Sequence, residues 1–225
     1  MSERKYYEAY EDRYKQVHAA GLQWASDEPS PIVLESIDRL ALGKDAKMLE
    51  IGCGEGRDAA ALLARGFALT ATDISSEAIS HCRAKYPPWA GRFQVLDCLT
   101  DSLDVRFDFI YAVAVLHMLV EDAHRAGFYC FIREHLTMDG AALICTMGDG
   151  EEEFQSDPST AFDLALRTHE ATGKALMLAG TSCRVVSADT FHREIEANGL
   201  TIIESGRTSV EPDFPVMLYA VVRRQ

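Results

Sequence analysis

The stretch MLEIGCGEGRDAA, residues 48–60, joins an apolar run to a glycine-rich turn and then to an alanine-rich segment. The apolar run predicts a short buried strand, and the alanine-rich segment predicts a helix. Gly52, Gly54 and Gly56 permit a tight turn in which the backbone lies directly against a ligand. A strand, a glycine turn and a helix in this order predict a ligand crevice at the carboxyl edge of an open α/β sheet.

The alternation of strands and helices continues along the chain. Strands are predicted at residues 48–51, 68–72, 93–96, 107–113 and 141–147, with helices at residues 59–65, 76–85 and 123–136. A helix after Ser187 precedes strands at residues 200–204 and 216–222, which predict an antiparallel hairpin. The pattern predicts an α/β fold with a doubly wound, mostly parallel seven-stranded sheet, an antiparallel last strand and helices on both faces.

We predict a single domain over residues 1–225, because no flexible linker or internal repeat interrupts the chain. Its regions are an N-terminal helical lid at residues 1–43, a core at residues 47–147, an insertion at residues 148–186 and a C-terminal helix and hairpin at residues 187–225. A helical segment is predicted within the insertion at residues 162–168. We expect the insertion to lie beside the ligand crevice and to influence substrate choice.

Composition and charge narrow the classes of partner. The chain has 225 residues, of which 48% are hydrophobic and 25% are charged, as in one globular domain. Its 35 acidic and 22 basic residues give a net charge of -13, which repels nucleic acid. The longest apolar run is too short for a membrane span, and the cysteines lack zinc or disulfide spacing. We expect a cytoplasmic protein, monomeric or homodimeric, that binds neither nucleic acid nor membranes.

Three charged residues around the glycine turn discriminate between possible ligands. Asp73 ends the second predicted strand and suits the ribose hydroxyls of a dinucleotide or of another adenosyl ligand. Glu50 lies in the strand before the turn, where a carboxylate repels a pyrophosphate but attracts an ammonium or a sulfonium group. Arg57 stands where the dinucleotide pattern has its third glycine. These residues favour S-adenosylmethionine over a nicotinamide dinucleotide.

Five segments in order resemble the class I S-adenosylmethionine-dependent methyltransferases. The segments are MLEIGCGEGRDAA, ATDIS, FQVLDCLTD, FDFIYAVAVLHML and DGAALI, and they lie within residues 47–147. The resemblance implies a Rossmann-like sheet, S-adenosylmethionine as cofactor, S-adenosylhomocysteine as product and methyl transfer to a small-molecule acceptor. Within this family, GCGEGRDAAALLARGFALTATDIS at residues 52–75 looks most like the tellurite- and thiopurine-type branch.

The resemblance also implies which residues contact the cofactor. It places Asp73 on the ribose hydroxyls, Asp97 on the adenine and Glu50 on the methionine side. Asp is also common where a strand yields to a turn, so a capping role for the two aspartates is the alternative. The implied contact residues are Tyr14, Glu50, Gly52, Cys53, Gly54, Gly56, Asp73, Ile74, Asp97, Cys98, Leu99, Ala112 and Val113.

The N-terminal tyrosines Tyr7, Tyr10 and Tyr14 recur at helical spacing. Such a stripe is typical of a helix that packs on the sheet edge. The resemblance adds a second interpretation, in which this segment folds over the cofactor and Tyr14 presents an aromatic wall to the sulfonium. Both interpretations stay open at the level of sequence.

His117 is the predicted catalytic residue. It follows the fourth strand and interrupts the apolar run AVAVLHML, and a histidine pKa near neutrality suits a general base that deprotonates the acceptor. A hydrogen-bonded structural histidine is the alternative. The remaining histidines show no ligand spacing with Asp, Glu or Cys, so no metal site is predicted.

Two other functions are compatible with the sequence. A nicotinamide-dependent oxidoreductase fits the glycine turn and Asp73, although Glu50, Arg57 and Asp97 disfavour it. A non-catalytic S-adenosylmethionine-binding scaffold or regulator is the second, because a fold does not fix a function.

We expect the purified protein to bind S-adenosylmethionine and S-adenosylhomocysteine in the micromolar range or more tightly, and NAD far more weakly. The reason is that carboxylates occur where a pyrophosphate would lie. Titration calorimetry with the three ligands measures the order of affinity, and tighter binding of NAD would contradict the S-adenosylmethionine assignment.

Overall fold

The computed structural model describes residues 4–169 and 172–225. In chain order the strands are β1 (Lys47–Ile51), β2 (Ala68–Asp73), β3 (Phe93–Val95), β4 (Phe107–Val113), β5 (Leu136–Met147), β6 (Phe154–Gln155), β7 (Leu164–Thr168), β8 (Ala175–Ala179), β9 (Arg184–Val185), β10 (Leu200–Val210) and β11 (Phe214–Arg224). The α-helices are α1 (Ala9–Ala19), α2 (Pro31–Arg39), α3 (Arg57–Ala64), α4 (Ser76–Lys85), α5 (Asp122–His135) and α6 (Ala188–Ala197). Short 3-10 helices lie at Tyr6–Glu8, Pro87–Arg92, Leu116–Met118 and Pro158–Thr160. Among these described helices, none is long and apolar enough to cross a membrane.

Seven strands form the central sheet in the order β10-β11-β5-β4-β1-β2-β3. Strands β1 to β5 pair in parallel, whereas β11 lies antiparallel between β5 and β10. The predicted fold, a mostly parallel seven-stranded sheet with an antiparallel last strand, is confirmed.

Helices cover both faces of this sheet, as predicted. Because side chains alternate along a strand, successive residues of β1 point to opposite faces. Leu49 packs on one face with Phe128 of α5 and Phe191 of α6. Met48 packs on the other face with Leu62 of α3. The sheet is therefore the middle layer between two apolar cores.

The parallel strands end side by side at one edge of the sheet. Just beyond β1, Cys53 N donates a hydrogen bond to Thr72 O at 2.8 Å, and just beyond β3, Leu96 N donates to Asp73 O at 2.9 Å. These bonds extend the register past the ends of the strands. The glycine turn and the two acidic residues of the sequence pattern consequently lie next to one another.

The insertion contains a β-hairpin, so the prediction of a helical segment at residues 162–168 is wrong. Strand β7 pairs antiparallel with β8, and Leu166 lies opposite Met177. Leu164 and Leu166 are two residues apart, so they share one face of a strand. The partner strand supplies the backbone hydrogen bonds that a helix would have made internally.

Helix α1 packs against this hairpin through buried polar contacts. Arg13 Nη2 donates to Ala179 O at 2.9 Å and to Gly180 O at 2.8 Å. In return, Ala179 N donates to Gln16 Oε1 at 2.7 Å. The N-terminal helix and the insertion therefore form one layer.

Candidate functional site

Three glycines shape the turn after β1. Gly52, Gly54 and Gly56 have φ angles of 73°, 52° and 82°, in the left-handed region that glycine enters without steric cost. A Cβ atom at Gly52 would overlap the side chain of Val115, and a Cβ atom at Gly54 would lie 2.8 Å from the Tyr14 hydroxyl. Both the backbone angles and the close neighbours therefore require glycine in this turn.

Asp73 connects the end of β2 to the turn. Its Oδ2 accepts a hydrogen bond from Gly54 N at 2.8 Å, and its Oδ1 accepts one from Ser75 N at 2.8 Å. Burial raises the pKa of Asp73 to about 6, although the two N–H donors act in the opposite direction. Each carboxylate oxygen keeps a lone pair for a further donor, so Asp73 can hold the turn and a ligand hydroxyl together.

A cavity lies beside the turn, and its lining is mainly apolar with two carboxylates, as is typical of small-molecule sites. Seven of the predicted cofactor residues line it, and they come from the ends of β1, β2 and β3 and from α1. These seven are Tyr14, Gly52, Asp73, Ile74, Asp97, Cys98 and Leu99. The fold therefore brings together residues that are separated in the sequence, as the resemblance implies.

Asp97 ties the N-terminal segment to the cavity. Its Oδ1 accepts a hydrogen bond from Leu99 N at 2.9 Å, and its Oδ2 accepts one from the Tyr7 hydroxyl at 3.3 Å. Lys5 Nζ lies 3.5 Å from the same Oδ2 atom. Burial, followed by the charge of Asp97, raises the pKa of Tyr7, so the phenol stays protonated and serves as the donor.

Two further tyrosines complete an aromatic wall on this side of the cavity. Tyr10 and Tyr14 both line it. The Tyr10 hydroxyl donates to Ser182 O at 3.2 Å, which fixes the ring against the insertion. Burial and the charge of Asp73 raise the pKa of Tyr14 well above its ordinary value. The N-terminal tyrosine stripe therefore packs and lines the cavity at the same time.

Six predicted cofactor residues lie outside the cavity lining, namely Glu50, Cys53, Gly54, Gly56, Ala112 and Val113. Glu50 points to the Met48 face of β1, away from Ile51, which lines the cavity. Burial raises the pKa of Glu50 well above its ordinary value, and the charge of Asp58 adds to this effect. The expected contact of Glu50 with the ligand stays a prediction. The acidic groups that line the cavity are Asp73 and Asp97, so the discrimination against a pyrophosphate falls to them.

His117 lies in the 3-10 helix after β4 and is 4% exposed. Its neighbours Val115 and Met118 line the cavity, whereas His117 does not. Burial, together with the charges of Arg125 and Arg13, lowers the pKa of His117 to about 3. The expected near-neutral base is therefore replaced by a buried, neutral imidazole. Its Nδ1 has no hydrogen-bond partner among the described residues, and its role as general base stays a prediction.

Sequence reasoning missed half of the cavity lining. The missed residues are Tyr7, Tyr10, Ile51, Leu96, Val115, Met118 and Leu119. The two tyrosines belong to the stripe that the sequence analysis singled out, so helical spacing was their signal. Ile51 ends β1 and Leu96 directly follows β3, and this position at the carboxyl edge was the available signal for them. The last three residues are apolar within an apolar run, and no feature of the sequence marks them.

The structure combines a Rossmann-like sheet, a cavity at its carboxyl edge, a glycine turn and two acidic residues at strand ends. Together they define the class of the protein as an α/β protein with a Rossmann-like small-molecule site. A family model described as a methyltransferase domain matches residues 25–205. The chain belongs to this methyltransferase family. No curated protein sequence matches the chain.

Solved structures share the fold at low sequence identity. 1,6-Didemethyltoxoflavin-N1-methyltransferase from Burkholderia thailandensis is 19% identical, with 98% of this chain and 89% of that chain covered and a TM-score of 0.72. The CcbJ methyltransferase from Streptomyces caelestis is 16% identical, with 95% and 98% covered and a TM-score of 0.69. The glycopeptide N-methyltransferase MtfA is 20% identical, with 89% and 88% covered and a TM-score of 0.65. These similarities confirm the fold, while the tellurite- and thiopurine-type branch stays a prediction.

We expect Gly52→Ala to lower the free energy of unfolding by about 1–2 kcal/mol, because alanine is strained in the left-handed region. The overlap with Val115 adds to this loss and pushes a lining side chain, so affinity for S-adenosylhomocysteine should fall as well. Urea denaturation and titration calorimetry measure the two effects. Gly66→Ala is the matched control, since Gly66 shares the left-handed backbone with a φ of 84°, and its added Cβ atom has no neighbour within 4 Å among the described residues. Equal behaviour of the two variants would contradict the steric argument.

Proposed function

We propose that the protein transfers a methyl group from S-adenosylmethionine to a small-molecule acceptor by in-line displacement and releases S-adenosylhomocysteine. The observation that carries the proposal is the cavity itself, where two carboxylates and three tyrosines surround the glycine turn and no lysine or arginine occurs among the described lining residues. Membership of the methyltransferase family supports the proposal. Two solved structures support the choice of ligand. MtfA was solved with S-adenosylmethionine, and 1,6-didemethyltoxoflavin-N1-methyltransferase was solved with S-adenosylhomocysteine.

The charge of the cavity favours S-adenosylmethionine over a dinucleotide. Asp73 and Asp97 both line the cavity. Two like charges about 4 Å apart repel by about 4 kcal/mol near a protein surface, so a pyrophosphate is disfavoured beside these groups. S-adenosylmethionine has no phosphate, and it carries an ammonium and a sulfonium group that carboxylates and aromatic faces attract.

The lining residues divide the cavity into parts that fit the parts of this ligand. We assign the ribose hydroxyls to Asp73, whose carboxylate oxygens keep free lone pairs. Ile74, Cys98 and Leu99 offer apolar surface for the adenine. Burial raises the pKa of the Cys98 thiol to about 12, so this side chain is a neutral wall and not a nucleophile. We assign the methionine part of S-adenosylmethionine to the backbone at Gly52 and the ring of Tyr14.

The remaining lining residues form a connected surface for the acceptor. The Tyr10 hydroxyl donates to Ser182 O at 3.2 Å, and Ser182 Oγ donates to Met118 O at 2.6 Å. Tyr10 and Met118 are thereby fixed relative to each other, with Leu119 beside them in the lining. This apolar and aromatic surface suits a largely apolar acceptor and excludes water.

Positioning is the main catalytic contribution of the chain. S-adenosylmethionine supplies a methyl group that is already activated by the sulfonium. The protein therefore needs to hold the acceptor in line with it, and good orientation accounts for about 7–11 kcal/mol of a barrier. Two features provide that orientation. They are the tyrosine wall and the glycine turn, and backbone hydrogen bonds hold the turn in place.

We expect affinity for S-adenosylhomocysteine to depend on pH through Asp73. The pKa of this group is raised to about 6, and only its ionised form accepts from both ribose hydroxyls. Below pH 6 the carboxyl group must lose a proton on binding, so affinity should fall by roughly tenfold per pH unit, and it should be constant above pH 7. Titration calorimetry between pH 5 and pH 8 measures this profile.

Asp73→Asn should abolish the pH dependence and weaken binding at pH 7.5 by roughly tenfold to a hundredfold, because a charge-assisted hydrogen bond is lost. Asp104→Asn is the control, since Asp104 is exposed and lies outside the cavity lining. A wild-type affinity that does not change across this pH range would show that Asp73 only caps the turn.

We expect His117→Ala to lower turnover on a proton-bearing acceptor by about 10²–10⁴-fold if His117 acts as the general base. Because the pKa of His117 is about 3, this side chain stays neutral between pH 8 and pH 5. The pH profiles of activity should therefore have the same shape in the wild type and in His117→Ala over this range. Steady-state assays of methyl transfer and calorimetry with S-adenosylhomocysteine separate turnover from cofactor binding. His192→Ala is the control on a partly exposed histidine outside the cavity lining. Loss of stability with little change in turnover would assign His117 a structural role.

A further inference from the structure

Three potential metal ligands meet on the far side of the glycine turn. Glu55 belongs to the turn itself, between Gly54 and Gly56, while His18 lies near the end of α1 and His81 lies in α4. One ligand atom of each lies within 4.8 Å of the other two. Their positions in the sequence show no ligand spacing, which is why the sequence predicts no metal. The fold alone brings them together.

His18 has the orientation that histidine ligands have in metal sites. Its Nδ1 lies 2.8 Å from Glu77 Oε1, and histidine ligands usually donate the N–H of the other ring nitrogen to such a carboxylate. The opposite nitrogen, Nε2, then carries the free lone pair. It lies 2.9 Å from Glu55 Oε1, so the two atoms are already neighbours and need to move apart only slightly, to about 3.4 Å, to share a tetrahedral zinc ion.

Glu55 supplies a preorganised carboxylate. Its side chain is 1% exposed, and Trp24 N and Ala25 N donate to Oε1 and Oε2, each at 2.8 Å. These bonds fix both oxygens and leave lone pairs on them. A buried carboxylate of this kind is stabilised by a nearby cation.

His81 completes the cluster and is the residue that hydrogen bonding does not explain. Its Nε2 is buried and has no hydrogen-bond partner among the described residues. The ring stacks on His18, with the centroids 4.4 Å apart. Burial lowers the pKa of His81, which favours the neutral imidazole that binds metals. A buried polar atom without a partner is unusual.

We propose that His18, Glu55 and His81 bind one Zn²⁺ ion, with a water molecule in the fourth position. Two imidazoles and one carboxylate form a ligand set that suits Zn²⁺, whereas Mg²⁺ and Ca²⁺ prefer oxygen ligands throughout. The two imidazole rings are stacked, so binding requires them to turn until both nitrogen lone pairs point at the ion. The ion joins α1 and α4 to the glycine turn, and it thereby holds the tyrosine wall in place over the cavity.

The alternative is an arrangement without a metal ion, which leaves His81 without a partner for its Nε2 atom among the described residues. Hydrogen bonds of the His18 ring with Glu55 and Glu77 account for both short contacts of that ring. These bonds give no partner to His81 Nε2. The two arrangements are therefore distinguished by whether His81 contributes to the binding of a cation.

The test is titration calorimetry of the full chain with zinc chloride after treatment with EDTA. We expect one Zn²⁺ ion per chain, at least tenfold weaker binding by His81→Ala, and a loss of about 10–100-fold in Glu77→Gln, which removes only the orienting carboxylate. His192→Ala, on a histidine outside the cluster, should bind as the wild type does. Zinc should also raise the thermal midpoint of the wild type and not that of His81→Ala.

Cobalt substitution identifies the ligands independently. Nitrogen and oxygen ligands give visible Co²⁺ absorption without thiolate charge-transfer bands, and such a spectrum is expected for the wild type and not for His81→Ala. Thiolate bands, equal zinc affinity in the wild type and His81→Ala, or no zinc binding at all would overturn the proposal. Because none of these measurements involves methyl transfer, their failure leaves the proposed methyltransferase activity untouched.

Discussion

The hydrogen bond from Gly54 N to Asp73 Oδ2, 2.8 Å long, joins the first two strands at the point where the cavity begins. It is charge-assisted when Asp73 is ionised and therefore stronger than an ordinary backbone bond. Val115 packs against Gly52, and the hydroxyl of Tyr14 lies against Gly54. Both side chains line the cavity. The floor of the cavity and its aromatic wall consequently depend on the position of one short turn.

Much of the sheet could be predicted from the sequence because the inner parallel strands are buried on both faces. Strand β4, for example, is apolar over nearly its whole length and is followed by a helix, which leaves few alternatives. The hairpin of β7 and β8 could not be predicted in this way. Leu166 is exposed, and its strand is defined by a partner that lies several residues further along the chain.

The candidate site shows the same limit at the level of single side chains. Asp73 and Asp97 were predictable because a polar residue at the carboxyl end of a buried strand marks the ligand edge. Glu50 and His117 were identified as chemically suitable groups, but their surroundings decide their chemistry. Burial raises the pKa of Glu50 and lowers the pKa of His117, and burial arises from packing between distant segments that no local pattern describes.

The contact between Arg13 and Ala179 spans 166 residues, and it has a consequence for how the protein is made. A nascent chain can build β1 to β5 while the rest is still being translated, since chains fold from the N-terminal side as they emerge. Helix α1 precedes the sheet in the sequence, but it has no hairpin to dock on until residue 179 has left the ribosome. The strand ends and the glycine turn can therefore form before α1 docks beside them. A product of translation that stops before the hairpin lacks an enclosed site.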